Sequence, residues 1–180
     1  MERDWNSMAT NEEKETMWKL THRVLPTRSY LAKWGLRITT KCPFCNGTED
    51  INHAVIGCFR AQQLWKKVLE WITAISGPKE TVTITMNNIV FAEKLPKHEN
   101  ERKLIRYLTM VTSDVIWRAR NKKVFDEKTE TQDIDKILTH RIKQRITSDN
   151  INNKDLSLET IWSIKGILCT YNEKKLVLKI

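Results

Sequence analysis

The chain has 180 residues, with 31 Lys and Arg against 22 Asp and Glu, giving a net charge of +9 and a pI near 9.4. That length allows one domain, or a small module joined to a larger one, and 40% hydrophobic content with seven tryptophans is enough for a core. No apolar run is long enough to span a membrane, and the basic balance suits a nucleic-acid partner without establishing one.

Residues 1–10 are polar and charged with no apolar leader, which points away from an oxidising compartment and toward an intracellular setting, the nucleus included. Thr10 with Glu13 forms a capping-box pattern, and Met17, Leu20, Val24 and Leu25 follow at helical spacing. The pattern predicts a helix over residues 11–24, stopped before Pro26. Thr27 heads a second, short helix ending at Gly35.

Between Lys41 and Arg60 the chain reads Cys42-Pro43-Phe44-Cys45, seven residues, His53, four residues, Cys58. Zinc takes four tetrahedral ligands from thiolate and imidazole, and two cysteines two residues apart let one short turn present two sulfurs to one ion. Asn46-Gly47 supplies residue types that tolerate positive φ, so the chain can reverse and return His53 to the sulfurs. On an ideal helix the five residues from His53 to Cys58 turn through about 500°, so the backbone must bend between them. Gly57 is placed to do this as a left-handed cap. Four protein ligands leave no open position, which predicts a structural ion rather than a Lewis acid. Buried or disulfide-bonded thiols are the competing reading. A nucleobase deaminase is excluded because Pro43 lies inside the pair and the histidine follows it. Cys169, alone in an apolar stretch, reads as a packed thiol, and His22, His98 and His140 have no ligand spacing.

Ala61, Leu64, Trp65, Val68, Ile72 and Ile75 mark one face of a helix over residues 59–75, closed by Gly77-Pro78. Residues 81–92 read as an extended stretch followed by a short helix after a Thr85 cap. A long helix is predicted over 98–126 and another over 132–148, then a polar loop over 150–155, a helix over 156–166, and a strand or tail over 176–180. The expected fold is mainly α, a small Cys-Cys-His-Cys zinc knuckle embedded in a helical domain with at most a short strand or two. Residues 1–80 would form the zinc-binding module with its flanking helices. Residues 81–180 would form a helical carboxy-terminal region packed on it, or continuous with it.

Positive charge concentrates in the middle of the chain. Residues 59–128 hold fourteen basic and eight acidic side chains, and the densest cluster is Arg118-Ala119-Arg120-Asn121-Lys122-Lys123, directly after Trp117. Such a cluster suits phosphate binding, although taken alone it reads rather as a solvated helix face. Lys41 and Arg60 flank the metal loop, so Lys41, Arg60, Arg118, Arg120, Lys122 and Lys123 are the candidate nucleic-acid contacts.

The segments Trp18-Lys-Leu-Thr-His22, Val24-Leu25-Pro26-Thr27, Leu31, Cys42-Pro43-Phe44-Cys45, Glu49, His53, Cys58, Trp65 and Ile116-Trp117-Arg118-Ala119-Arg120-Asn121-Lys122-Lys123-Val124-Phe125 closely resemble the zinc-binding region that follows the polymerase in non-LTR (LINE-type) retrotransposon reverse transcriptases. The resemblance runs from about residue 17 to residue 126. It implies a carboxy-terminal module that holds RNA or DNA near a polymerase domain, with Cys42, Cys45, His53 and Cys58 as zinc ligands. Trp18, Trp34, Trp65 and Trp117 lie near predicted apolar stripes, which favours core packing over stacking on bases. The sequence contains no Asp-Asp pair to hold the two metal ions of a polymerase, so no catalysis is expected of this chain alone. Glu101-Arg-Lys103 matches half of a nuclease signature without an aspartate partner upstream. The alternative function is a structural or protein-interaction scaffold stabilised by zinc.

Overall fold

The computed structural model describes residues 8–77, 84–91, 96, 98–126, 133–152, 156–173 and 175–180. Helix α1 spans Asn11–Thr21 and starts as a capping box: the Thr10 hydroxyl accepts from the Glu13 amide at 3.3 Å while the Glu13 carboxylate accepts from the Thr10 amide at 2.9 Å. The helix stops before the expected residue 24. Arg23 adopts φ +55° and closes a Schellman end in which Val24 donates to the Lys19 carbonyl and Arg23 to that of Leu20. Thr27 then caps α2, Arg28–Lys33, its hydroxyl accepting from the Tyr30 amide.

After the metal loop, α3 covers Phe59–Ser76 and ends at Gly77, whose φ of +91° suits glycine. Its buried face carries Ala61, Leu64, Trp65, Val68, Ile72 and Ile75, the stripe read from the sequence. Helix α4, Met86–Phe91, follows Thr85, whose hydroxyl accepts from the Asn88 amide at 3.2 Å. The extended stretch expected just before it falls largely outside the described residues.

Helix α5, Glu99–Phe125, is the axis of the fold. Its 27 residues rise roughly 40 Å. Because α1, α3, α6 and α7 all pack on it, it is buried almost all round from Leu104 to Trp117. Its buried hydroxyls are satisfied within the helix: Thr109, Thr112 and Ser113 donate to the carbonyls of Arg106, Leu108 and Thr109. Asp114, fully buried, accepts from Thr16 of α1 at 2.6 Å, from Arg118 at 2.8 Å and from Arg141 of α6 at 2.6 Å, so one carboxylate ties three helices.

Helix α6 spans Ile134–Asn152, continuing helically into the stretch expected to be a loop, and buries Leu138, Ile142 and Ile146. Helix α7, Leu156–Trp162, is shorter than predicted. A 3-10 turn, Ile164–Gly166, follows it, with Lys165 at φ +51° and Gly166 at φ +62°. Trp162 is fully buried, donates to Asp149 at 3.0 Å and meets the Tyr107 ring edge-on at 5.2 Å.

Strand β1, Cys169–Asn172, which the sequence reading missed, pairs antiparallel with β2, Lys175–Leu178, within the expected tail. Cys169 is buried, its thiol directed at the Trp162 carbonyl. Among the described residues the protein is mainly α with one small two-stranded sheet, β1–β2. The expected boundary at residue 80 falls outside the described residues. From either side of it, α1 and α3 pack on α5 in one hydrophobic cluster. Among the described residues no helix is long and apolar enough to cross a membrane.

Candidate metal centre

The loop carrying the first two cysteines is a minimal hairpin. Lys41 bridges Thr48, the Cys42 amide donates to the Gly47 carbonyl at 2.8 Å, and the Glu49 amide donates to the Thr40 carbonyl at 2.8 Å. Inside it the Phe44 amide points at the Cys42 sulfur, 3.5 Å away, a donor that favours the thiolate. Neither Asn46 nor Gly47 adopts positive φ. Glycine is required at 47 for space instead: a Cβ there would stand 3.0 Å from Cε1 of His53.

His53 arrives on a helical turn capped by Asp50, whose carboxylate accepts from the His53 amide at 2.7 Å and whose carbonyl accepts from Ala54 at 2.9 Å. The expected left-handed cap at Gly57 is absent, since Gly57 has no positive φ. The backbone instead widens into a π turn, His53–Gly57, closed by the Cys58 amide donating to the His53 carbonyl at 2.8 Å. A turn with i→i+5 bonding stacks residues five apart, which an α-helix cannot do. The turn thereby brings Cys58 under His53. Trp65, buried in α3, donates from Nε1 to the Val55 carbonyl at 2.8 Å and holds the widened turn to the next helix.

The result is one cluster. The ligand atoms of Cys42, Cys45, His53 and Cys58 all lie within 4.8 Å of one another, and all the cysteines are free. A tetrahedral ion with sulfurs at about 2.3 Å and nitrogen at about 2.0 Å sets sulfurs roughly 3.8 Å apart and sulfur roughly 3.5 Å from nitrogen. Here Cys42 and Cys58 sulfurs are 3.8 Å apart, and the Cys45 sulfur is 3.3 Å from Nε2 of His53. That S···S distance is far beyond a disulfide bond. Burial, with the neighbouring Cys58 sulfur, pushes the Cys42 thiol up to about 12. A divalent cation offsets that cost by binding the thiolate directly. The donor set and its spacing fit zinc with no position left for substrate.

A buried ion pair anchors the knuckle. Glu49, directly after the hairpin, is fully buried, and Arg120 of α5 grips it with two nitrogens, Nε to Oε1 at 2.9 Å and Nη2 to Oε2. The Arg28 amide donates to the same carboxylate at 2.9 Å, and the Arg120 guanidinium also covers the Trp117 ring at 4.8 Å. Arg60, at the start of α3, lies buried over the Phe44 ring at 4.2 Å.

These contacts place the six candidate cations unequally. Arg60 and Arg120 sit inside the fold, engaged as just described, and the structure leaves neither facing solvent. Arg118 is 42% exposed and pairs with Asp114 at 2.8 Å and Glu12 at 3.4 Å. Lys41 and Lys122 are exposed and Lys123 is half-buried. Trp65 and Trp117 are core residues as expected, whereas Trp18 and Trp34 are 49% and 72% exposed, departing from the packing read for them. His22, His98 and His140 are exposed. The sequence reading missed the Glu49–Arg120 anchor, although both residues stand among those carrying the resemblance; an acidic residue within the ligand loop was the available signal, and it does not specify its partner.

Residues 1–65 match the family described as zinc-binding in reverse transcriptase. The chain is also 20% identical over 169 residues to the transposon TX1 uncharacterized 149 kDa protein of Xenopus laevis, an alignment covering 92% of this chain and 12% of that protein. The chain thus spans a small part of that relative's length. No solved structure matches it. Residues 1–65 are therefore similar to the zinc-binding domain found in reverse transcriptases, and the four residues of the cluster fit a zinc site.

Proposed function

We propose that this chain is a non-catalytic nucleic-acid-binding module of retrotransposon origin, holding RNA or DNA beside a reverse transcriptase polymerase domain. The observation that carries this reading is the closed zinc centre within a segment matching the reverse-transcriptase family. An ion with four protein ligands organises a surface instead of activating water. The basic excess supports a polyanionic partner: three thiolates and one divalent ion still leave the chain near +8. Lys41, Arg118, Lys122 and Lys123 are the contacts retained from the sequence reading, Arg60 and Arg120 being committed to the interior.

A second reading, a zinc-stabilised scaffold for protein contacts, draws on the same interior ion pairs, which show cations of the motif serving the fold. A salt titration separates the two. Zinc-loaded protein and a K122E/K123E variant are titrated with labelled RNA and DNA. The nucleic-acid reading expects affinity that falls linearly in log salt and weakens in the variant. Equal binding by both proteins, at the level of any protein of this charge, would favour the scaffold.

A further inference from the structure

We infer that the segment leading from α1 into the knuckle is a platform for single-stranded nucleic acid, with Trp34 as the stacking surface. This rests on the nucleic-acid reading above and names where and what that module binds. Residues 16–48 contain no Asp or Glu, yet hold six cations: Lys19, Arg23, Arg28, Lys33, Arg37 and Lys41. Lys19 pairs with Glu15, and Arg28 donates to the Lys41 carbonyl at 2.8 Å. Among the described residues no ion pair engages Arg23, Lys33, Arg37 or Lys41, and all four are exposed. Here the charge is free for phosphate, whereas in the 118–123 cluster the two arginines are paired to Asp114, Glu12 and Glu49 and only Lys122 and Lys123 remain.

The aromatic half of the platform lies among these cations. Trp34 follows α2 with 72% of its surface open, 6.2 Å from the Tyr30 ring. Tyr30 also walls a cavity of about 270 Å³ shared with Arg23, Lys33 and Asn52, and with the carboxylate of Asp50, which caps the His53 turn. A recess with an apolar floor of Leu20, Ile51 and Met86, and with Asn52, Tyr30 and two cations at hand, is of a size for one base or sugar. An open indole can stack only on an unpaired base, because duplex bases already cover each other's faces. The combination therefore selects single strands, and since base faces and phosphates are common to both, RNA and DNA are each admitted.

The test uses the zinc-loaded full chain and fluorescence anisotropy with a mixed-sequence RNA of about 12 nucleotides, the matching DNA, and their duplexes, a length within the usual single-strand footprint. W34A is expected to weaken single-strand binding about tenfold while changing duplex binding less than about twofold, and W34F to restore most of the loss. R37A and K41A should each reduce the log–log salt slope by roughly 0.7. Loss with RNA, with DNA or with both upholds the platform and names its strand. Unchanged single-strand binding by W34A, with the unmutated protein still binding, overturns the platform but leaves the proposed function standing. If the unmutated protein binds no strand better than a control of equal charge, both fall.

Discussion

Glu49 and Arg120 lie 71 residues apart in the chain and form a two-point ion pair in the interior, joining the end of the zinc hairpin to the long central helix. The pair couples metal site and core. Removing one partner strands a buried charge, so R120A should cost about 3–5 kcal/mol, whereas replacing both by apolar residues recovers part of that loss. For a chain of this size the single change lowers Tm on the order of 10 °C. Thermal melts of R120A, E49L and the double variant E49L/R120M check it. A melt of R120A within two degrees of the parent, at about the precision of the method, would refute the anchor.

Elemental analysis of protein purified without chelator should find one zinc per chain, and a strong chelator should collapse the knuckle. Sites of this type contribute on the order of 10 kcal/mol of apparent folding energy, which exceeds what most domains can lose. C58S and H53A should lose stoichiometric zinc while C169S keeps it, because Cys169 lies outside the ligand cluster, buried in β1 against the Trp162 carbonyl. Full zinc content in C58S would contradict the ligand assignment.

Two glycines beside the site should behave differently. G47A places a methyl 3.0 Å from the His53 ring, whereas the same atom at Gly57 meets nothing closer than 3.7 Å. Overpacking of this kind costs about 1–3 kcal/mol. A competition titration with a chromophoric chelator should show G47A binding zinc at least about fivefold more weakly, with G57A nearer the parent. The reverse order would mean the hairpin moves freely around the imidazole.

Glu13 gives a pH signature. Burial raises its pKa, against the lowering bonds from Thr10, with the nearby Asp114 charge adding to the rise. A carboxyl whose folded pKa is raised contributes most below its unfolded value, near 4.3, and that contribution disappears as pH climbs through the folded value. At neutral pH its ionised form therefore opposes folding. E13Q, which keeps an acceptor for the Thr10 amide, should raise stability at pH 7, with the gain shrinking toward pH 4. Denaturant midpoints at the two pH values measure this; a larger gain at pH 4 would reverse the sign and refute the reasoning.

Local features were legible from residue order. The Cys-x-x-Cys spacing with a downstream histidine and cysteine named the four side chains that the fold gathers into one cluster. Thr10 with Glu13 named a helix start, and the apolar stripe from Ala61 to Ile75 named the face that α3 buries. Each signal sits within a few turns of chain, where spacing and bond geometry alone dictate which side chains meet. Long-range pairing followed a different logic. Nothing in the order of Arg118, Arg120, Lys122 and Lys123 says which of them faces inward. That choice was made when the knuckle docked on α5 and offered Glu49 to Arg120, and when α1 and α6 enclosed Asp114. The same holds for Trp34: it caps α2, a six-residue helix that buries none of its residues, so the indole stays in solvent although a nearby apolar stripe suggested burial. Charges and aromatic rings take their roles from the surfaces packed against them, because desolvation acts on the assembled interior and not on the neighbouring residues of the chain.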